Sequence, residues 1–144
     1  MTMIQFDKEL LNSLFVQAKE NPRLRMNLDM RTSSADTSQR MLNALLPGTE
    51  IPIHRHEGTS ESVICLCGKL YEIIYEESAE YVTESNSLTQ NMAKKSIFKE
   101  VARILLCPAE GKYGCQIPKN AWHTIEVLEP SVIFEAKDGA YKQV

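Results

Sequence analysis

Histidine is scarce in this chain, with three among 144 residues, and so is tryptophan, with one. No run of apolar residues approaches the roughly 18 that a membrane-spanning helix needs, so no membrane segment is expected. The opening Met1-Thr-Met-Ile-Gln-Phe6 lacks the charged start and long apolar stretch of a secretory signal, which makes the cytoplasm the expected location. A basic excess is missing too. Sixteen Lys and Arg stand against nineteen Asp and Glu, a net charge of -3, and this argues against a general nucleic-acid binder. The four cysteines, Cys65, Cys67, Cys107 and Cys115, do not form the paired Cys-x-x-Cys knuckles of a structural zinc site, and nothing else suggests a disulfide framework. Internal repeats and low-complexity stretches are likewise absent, so a single domain spanning 1–144 is expected, with a helical segment over 1–22 and a β-barrel over 23–144.

What is present is concentrated around the three histidines. Pro52 and Ile53 favour extended backbone, and in a strand residues two apart share a face, so His54 and His56 can offer their imidazoles to one centre while Arg55 points away. Glu61 has the wrong parity for an unbroken strand. Residues 57–60 must therefore turn or bulge, and Gly58 permits it. Beyond Glu61, Val63 to Cys67 reads as a strand closed by a turn at Gly68. His123 has to arrive from a distant strand: 115–118 reads as one, with Pro118-Lys-Asn120 as the turn that aims Trp122 and His123 back across the barrel. Three imidazole nitrogens and the Glu61 carboxylate suit one borderline divalent ion, zinc, iron, manganese or nickel, with one or two positions left for water or substrate.

The rest of the chain frames this centre. Asp7 can cap a helix whose apolar residues Leu10, Leu11, Leu14, Phe15 and Ala18 recur at helical spacing, with Pro22 just past its end. Residues 23–31 alternate as a strand, with Leu24, Met26, Leu28 and Met30 on one face. On the other face Arg23, Arg25, Asn27, Asp29 and Arg31 either line a pocket for an anionic or polyhydroxylated ligand or form a solvated edge. A polar loop over 33–38 leads to a strand over 39–46, on which Asn43 shares a face with Met41 and Leu45. Asn43 is then either a structural amide or a neighbour of the metal. Cys65 and Cys67 share a face with Glu61 by parity. Lys69 to Glu76 and Phe98 or Val101 through Cys107 read as further strands, while 84–95 reads as a loop or a short inserted helix. Near the end, Glu135 and Lys137 are either an acid/base pair inside the barrel or an outward cross-strand salt bridge, which parity leaves open.

The segment from Gly48 to Gly68 is similar to the first cupin motif, with a glycine, five residues, His54-x-His56, four residues, Glu61, six residues and a glycine. The second motif is met by Pro118 and His123, with Asn120 standing where glycine is usual. Asparagine tolerates the left-handed conformation required there. More narrowly, residues 39–48, 52–56, 117–124 and 134–141 resemble the WbuC family of cupin-fold metalloproteins, a bacterial group associated with surface-polysaccharide gene clusters. The chain departs from that pattern at Asp29, where the family carries a histidine. The resemblance implies an all-β double-stranded β-helix, or jelly-roll barrel, with an N-terminal helix. It also implies a sugar or other polar, carbohydrate-like metabolite as the substrate class, and the leading expectation is a small metal-dependent enzyme acting on it, of isomerase or epimerase type. A non-catalytic ligand sensor and an iron-dependent oxygenase are the alternatives. Barrels of this type commonly dimerise, and the Leu10/Leu14 stripe offers a surface for a homodimer.

Overall fold

The computed structural model describes residues 3–84 and 91–139. One helix, α1 (Lys8–Glu20), precedes six strands: β1 (Arg25–Asp29), β2 (Ser38–Leu45), β3 (Glu61–Glu84), β4 (Asn91–Leu106), β5 (Gly114–Ile117) and β6 (Trp122–Asp138), with a 3-10 turn over Pro108–Glu110. All pairings are antiparallel. The order runs β1-β2-β6-β3-β4, and β5 joins the first part of β3.

The N-terminal helix forms as its sequence predicts. Asp7, in extended backbone, accepts a hydrogen bond from the Leu10 amide and so satisfies one of the donors that a helix start leaves open. Leu14 and Ala18 are buried from this helix, packed with Leu42, Ala44 and Val132, while Met26, Leu28 and Met30 of the first-strand region join the same cluster. The apolar stripe thus covers the outside of the β-sheet. Leu24 does not take part in the β1 alternation, because it adopts a left-handed φ of 56° one residue before the strand begins.

A second cluster fills the interior, built from Leu45, Val63, Cys65, Leu70, Leu106, Ile117, Val127 and Ile133. It is assembled by the two longest partners, β3 and β6, which pair from Glu61↔Lys137 to Tyr75↔Trp122. Gly68 does not close a strand as its sequence context predicts. The chain bends there with a φ of 95° and continues, with register irregularities on both sides. A β-carbon at Gly68 would lie 2.3 Å from the Pro130 carbonyl oxygen, so only glycine fits where the two strands turn the corner together.

This irregularity also overturns the expected pairing of Cys65 with Cys67 on one face. Cys65 lies in the interior cluster, whereas Cys67 packs in the cluster beneath α1. An extra residue in a strand shifts everything beyond it to the opposite face. All four cysteines are free thiols.

A further correction concerns 84–95. The part from Asn91 onward is strand, paired with β3 from Glu84↔Asn91 through Ile74↔Ala102, so no helix is inserted there; 85–90, like 140–141 of the family resemblance, lies outside the described residues. From Glu76 to Glu84 the partner of β3 is β4 alone, since the β6 pairing ends at Tyr75. Among the described residues no helix is long and apolar enough to cross a membrane.

Candidate metal centre

The histidines converge, although not from two regular strands. His54 and His56 lie in an irregular extended segment that meets β6 through a single bridge. There the His54 amide donates to the His123 carbonyl at 3.0 Å and the His123 amide donates back to the His54 carbonyl at 2.8 Å. Those two bonds set the rings of His54 and His123 side by side, with centroids 4.3 Å apart. His56 joins them at 5.2 and 5.4 Å, and one nitrogen from each of the three rings lies within 4.8 Å of the others.

Local turns hold this arrangement. Gly58 takes a φ of 100° between the His-x-His pair and β3, as the parity of Glu61 requires. Asn120 takes a φ of 66°, the left-handed geometry expected of it, and its amide donates to the His56 carbonyl at 3.0 Å while the Ala121 amide closes the turn onto Pro118. Arg55 points away from the centre and stacks over Trp122 at 4.5 Å, and Phe98 meets the same indole at 5.0 Å. Trp122 is therefore a packing residue that fixes both flanks of the centre.

Tautomers follow from the partners. His54 Nδ1 lies 2.9 Å from the Pro52 carbonyl and His123 Nδ1 lies 2.8 Å from the Ala121 carbonyl. A carbonyl only accepts, so both Nδ1 atoms carry the hydrogen and both Nε2 atoms present lone pairs. Burial pushes the His54 imidazole down to about 4, helped by its proximity to His123, and burial lowers His123 as well. Near neutral pH both rings are therefore uncharged, the form that ligates metal. The Nε2 atoms of His56 and His123 are buried without a hydrogen-bond partner. His56 Nε2 comes within 2.9 Å of Glu61 Oε2, yet the two are not aligned as a hydrogen bond. Buried ring nitrogens left unpaired this close together, beside a buried carboxylate, are costly without a partner.

Beneath the imidazoles lies a cavity of about 40 Å³, lined by Arg25, Asn43, Ile51, His54, Glu61, Glu72, His123, Ile125 and Glu135. Of the residues singled out for a ligand pocket, Arg25 and Asn43 reach it. Arg25 is 8% exposed and donates to the Glu50 carbonyl at 2.8 Å and to Thr49 Oγ1 at 3.3 Å. Arg23 instead lines a separate groove with Pro22, Gly48 and Glu50. Asn27 lies outside the walls of the cavity, and Asp29 pairs with Arg31 at 3.0 Å.

Glu135 and Lys137 resolve into different places. The Glu135 carboxyl lines the cavity, and burial pushes it up to about 8, with Glu61 adding repulsion while Asn43 and Lys137 pull the other way. Lys137 donates to the Gly139 carbonyl at 2.9 Å and borders a polar groove at the strand ends with Gln39 and Ser60.

The sequence reading missed Glu72. It is 1% exposed, lines the cavity, and both of its carboxyl oxygens lack a hydrogen-bond partner. Burial raises its pKa well above the ordinary carboxylate value, with Glu135 and Glu61 adding to the effect. The available signal was a glutamate inside the apolar strand 70–74, two residues from Leu70 and from Ile74.

Residues 6–88 match the family described as "Domain of unknown function (DUF6016)". No curated protein matches the sequence. Among solved structures, the protein TT1209 from Thermus thermophilus is 19% identical, with 95% of this chain and 98% of that chain covered at a TM-score of 0.55. The capsular polysaccharide assembling protein CapF from Staphylococcus aureus is 17% identical over 85% of this chain, at a TM-score of 0.51. An oxalate oxidase in complex with the substrate analogue glycolate is 12% identical over 93% of this chain, at 0.52. This chain spans 30% of the CapF chain and 61% of the oxalate oxidase chain. At such identities the likeness is one of fold, and the fold is the cupin β-fold with an N-terminal helix.

Proposed function

We propose that this chain, which belongs to the DUF6016 family, is a cupin metalloprotein that binds one divalent ion through His54, His56 and His123, with Glu61 as the carboxylate ligand, and acts on a small polar metabolite. The observation that carries this reading is the convergence of one ring nitrogen from each of the three histidines within 4.8 Å of one another, with those of His56 and His123 buried and unpartnered. The donor set fits zinc, iron, manganese or nickel, since imidazole and carboxylate suit ions of intermediate softness. Such an ion supplies Lewis-acid polarisation of a carbonyl or hydroxyl oxygen.

The chain's own residues do the rest. Pro52 and Ala121 fix the imidazole tautomers, and Arg25 brings a positive charge to the far wall of the cavity. Glu135, held near neutral pH by burial, is suited to move a proton there, the requirement of an isomerase or epimerase type of reaction. The cavity volume favours a compact substrate, or one that enters by its reactive end alone. The WbuC-like segments, and the fold shared with a capsular polysaccharide assembling protein, support a sugar-derived substrate from surface-polysaccharide synthesis.

Metal analysis of the natively purified protein tests the centre. One divalent ion per chain is expected. His56→Ala and His123→Ala should each weaken its binding by at least about 100-fold, given that loss of an outer supporting group alone costs 10- to 100-fold. Full metal content in both variants would refute the assignment. Screening sugar nucleotides and sugar phosphates against the loaded protein then tests the substrate class.

A further inference from the structure

Glu72 is not required by the metal reading, and its surroundings do not explain it. The side chain is 1% exposed, projects from the middle of β3 into the cavity, and finds no donor for either oxygen. Asn43, on the opposite side of the sheet order, repeats the pattern. Its side chain lines the cavity with Glu135, and its Oδ1 is buried without a partner. Beyond the imidazole nitrogens that the proposed ion would take, the cavity therefore gathers unsatisfied polar atoms from two strands, β2 and β3. Buried polar atoms in folded proteins are almost always paired, so a wall of unpaired ones indicates a bound partner.

We propose that Glu72 and Asn43 form a hydroxyl-recognising subsite in which a ligand held at its other end by the metal centre places an alcohol group against the Glu72 carboxyl. The inference rests on the metal centre proposed above and narrows its substrate to a hydroxylated compound. The chemistry selects a hydroxyl over the other small polar groups. An alcohol both donates and accepts: it donates its one hydrogen to an ionised Glu72 carboxylate, or accepts from a protonated one and donates that hydrogen to Asn43 Oδ1. A second carboxylate would only accept and would face Glu61, Glu72 and Glu135 together. An ammonium group only donates, so it would leave the hydrogen of a protonated Glu72 carboxyl unpaired, and it would enter a lining that already holds Arg25.

The probes are 3-hydroxypropionate and butyrate, which have the same number of heavy atoms and differ by a hydroxyl in place of a methyl. Their binding to the zinc-loaded protein is measured by calorimetry, after zinc content has been determined on the same sample. The wild type should bind the hydroxy acid at least about tenfold more tightly, because the methyl group leaves Glu72 unpaired. Glu72→Leu should bring the ratio to about one or below while zinc content holds. Glu72→Gln should retain a preference for the hydroxyl, since an amide also donates and accepts.

Equal affinities in the zinc-loaded wild type would overturn the subsite and leave the metal centre standing, and this comparison needs no variant to fold. A preference that persists in a folded, zinc-loaded Glu72→Leu would overturn the role of Glu72. Failure of the wild type to take up zinc or any other divalent ion would overturn both the centre and the subsite built on it.

Discussion

Two of the three imidazoles are oriented by a backbone carbonyl two residues before them. The Pro52 and Ala121 carbonyls hold the Nδ1 hydrogens of His54 and His123, and the His56 backbone is pinned by the Asn120 amide. Glu61 differs from the imidazoles because its contribution includes charge. Glu61→Gln keeps a carbonyl oxygen for coordination and removes the negative charge, so metal affinity should fall by about tenfold, less than for loss of an imidazole; competition with a chelator measures it. A fall as large as that of His123→Ala would mean that Glu61 is a dominant ligand.

The ionisable groups of the cavity also set a pH profile for the metal-free protein. His54 titrates at about 4 when folded, below its ordinary 6.5, so the unfolded chain binds the extra proton between those values and stability is lost as pH falls through that window. Glu135 has the opposite sign. Its folded value of about 8 lies above the ordinary 4.5, so its contribution is complete below 4.5 and is lost as pH rises toward 8. Between about pH 6.5 and 8 only the Glu135 effect of these two remains. Urea unfolding should therefore show metal-free wild type losing stability across that range, and Glu135→Gln should flatten the decline. An unchanged slope in the variant would place the burial of Glu135 in error.

At the scale of elements, the sequence displayed most clearly those pieces whose two faces meet different surroundings. Helix α1 was readable because Leu14 and Ala18 meet the sheet while the opposite side meets water, so its stripe has the helical period. The His-x-His pair and the left-handed Asn120 were readable because each is a local constraint carried by neighbouring residues. Gly68 was misread for a physical reason: a glycine ending a β-rich run is the ordinary sign of a turn, and whether the strand stops or bends depends on β6, whose Pro130 and Ser131 crowd the same point. The face of Cys67 went wrong with it. Residues 91–95 showed no strand pattern because there β4 pairs with β3 alone, and a two-stranded ribbon need not bury one face consistently. Glu72 was hidden because the apolar run around it includes Ile73 and Ile74, one facing each way, and so gives no parity. The corner makes a testable claim. Gly68→Ala must accommodate a β-carbon 2.3 Å from the Pro130 oxygen at a φ of 95°, so it should lower unfolding stability by on the order of 3 kcal/mol in urea titration. A neutral substitution would show that the β3–β6 corner is looser than described.

Taken whole, the molecule divides its labour between two clusters. The outer one beneath α1 covers the sheet, and the inner one, from Leu45 to Ile133, packs against Ile51 and Ile125, the two apolar residues that line a cavity otherwise bounded by polar side chains. Seven residues with ionisable or amide side chains line that small space, three of them glutamates, so the fold spends stability on keeping them there. A bound cation relieves the cost most directly, by giving the imidazole lone pairs and Glu61 a common partner. The decisive measurement is anomalous X-ray scattering, recorded at the absorption edge of the bound metal, from crystals of the natively purified protein. One peak per chain among His54, His56 and His123, within coordination distance of all three Nε2 atoms and of Glu61, is the predicted result. No peak there, or a peak among the cysteines instead, would contradict it.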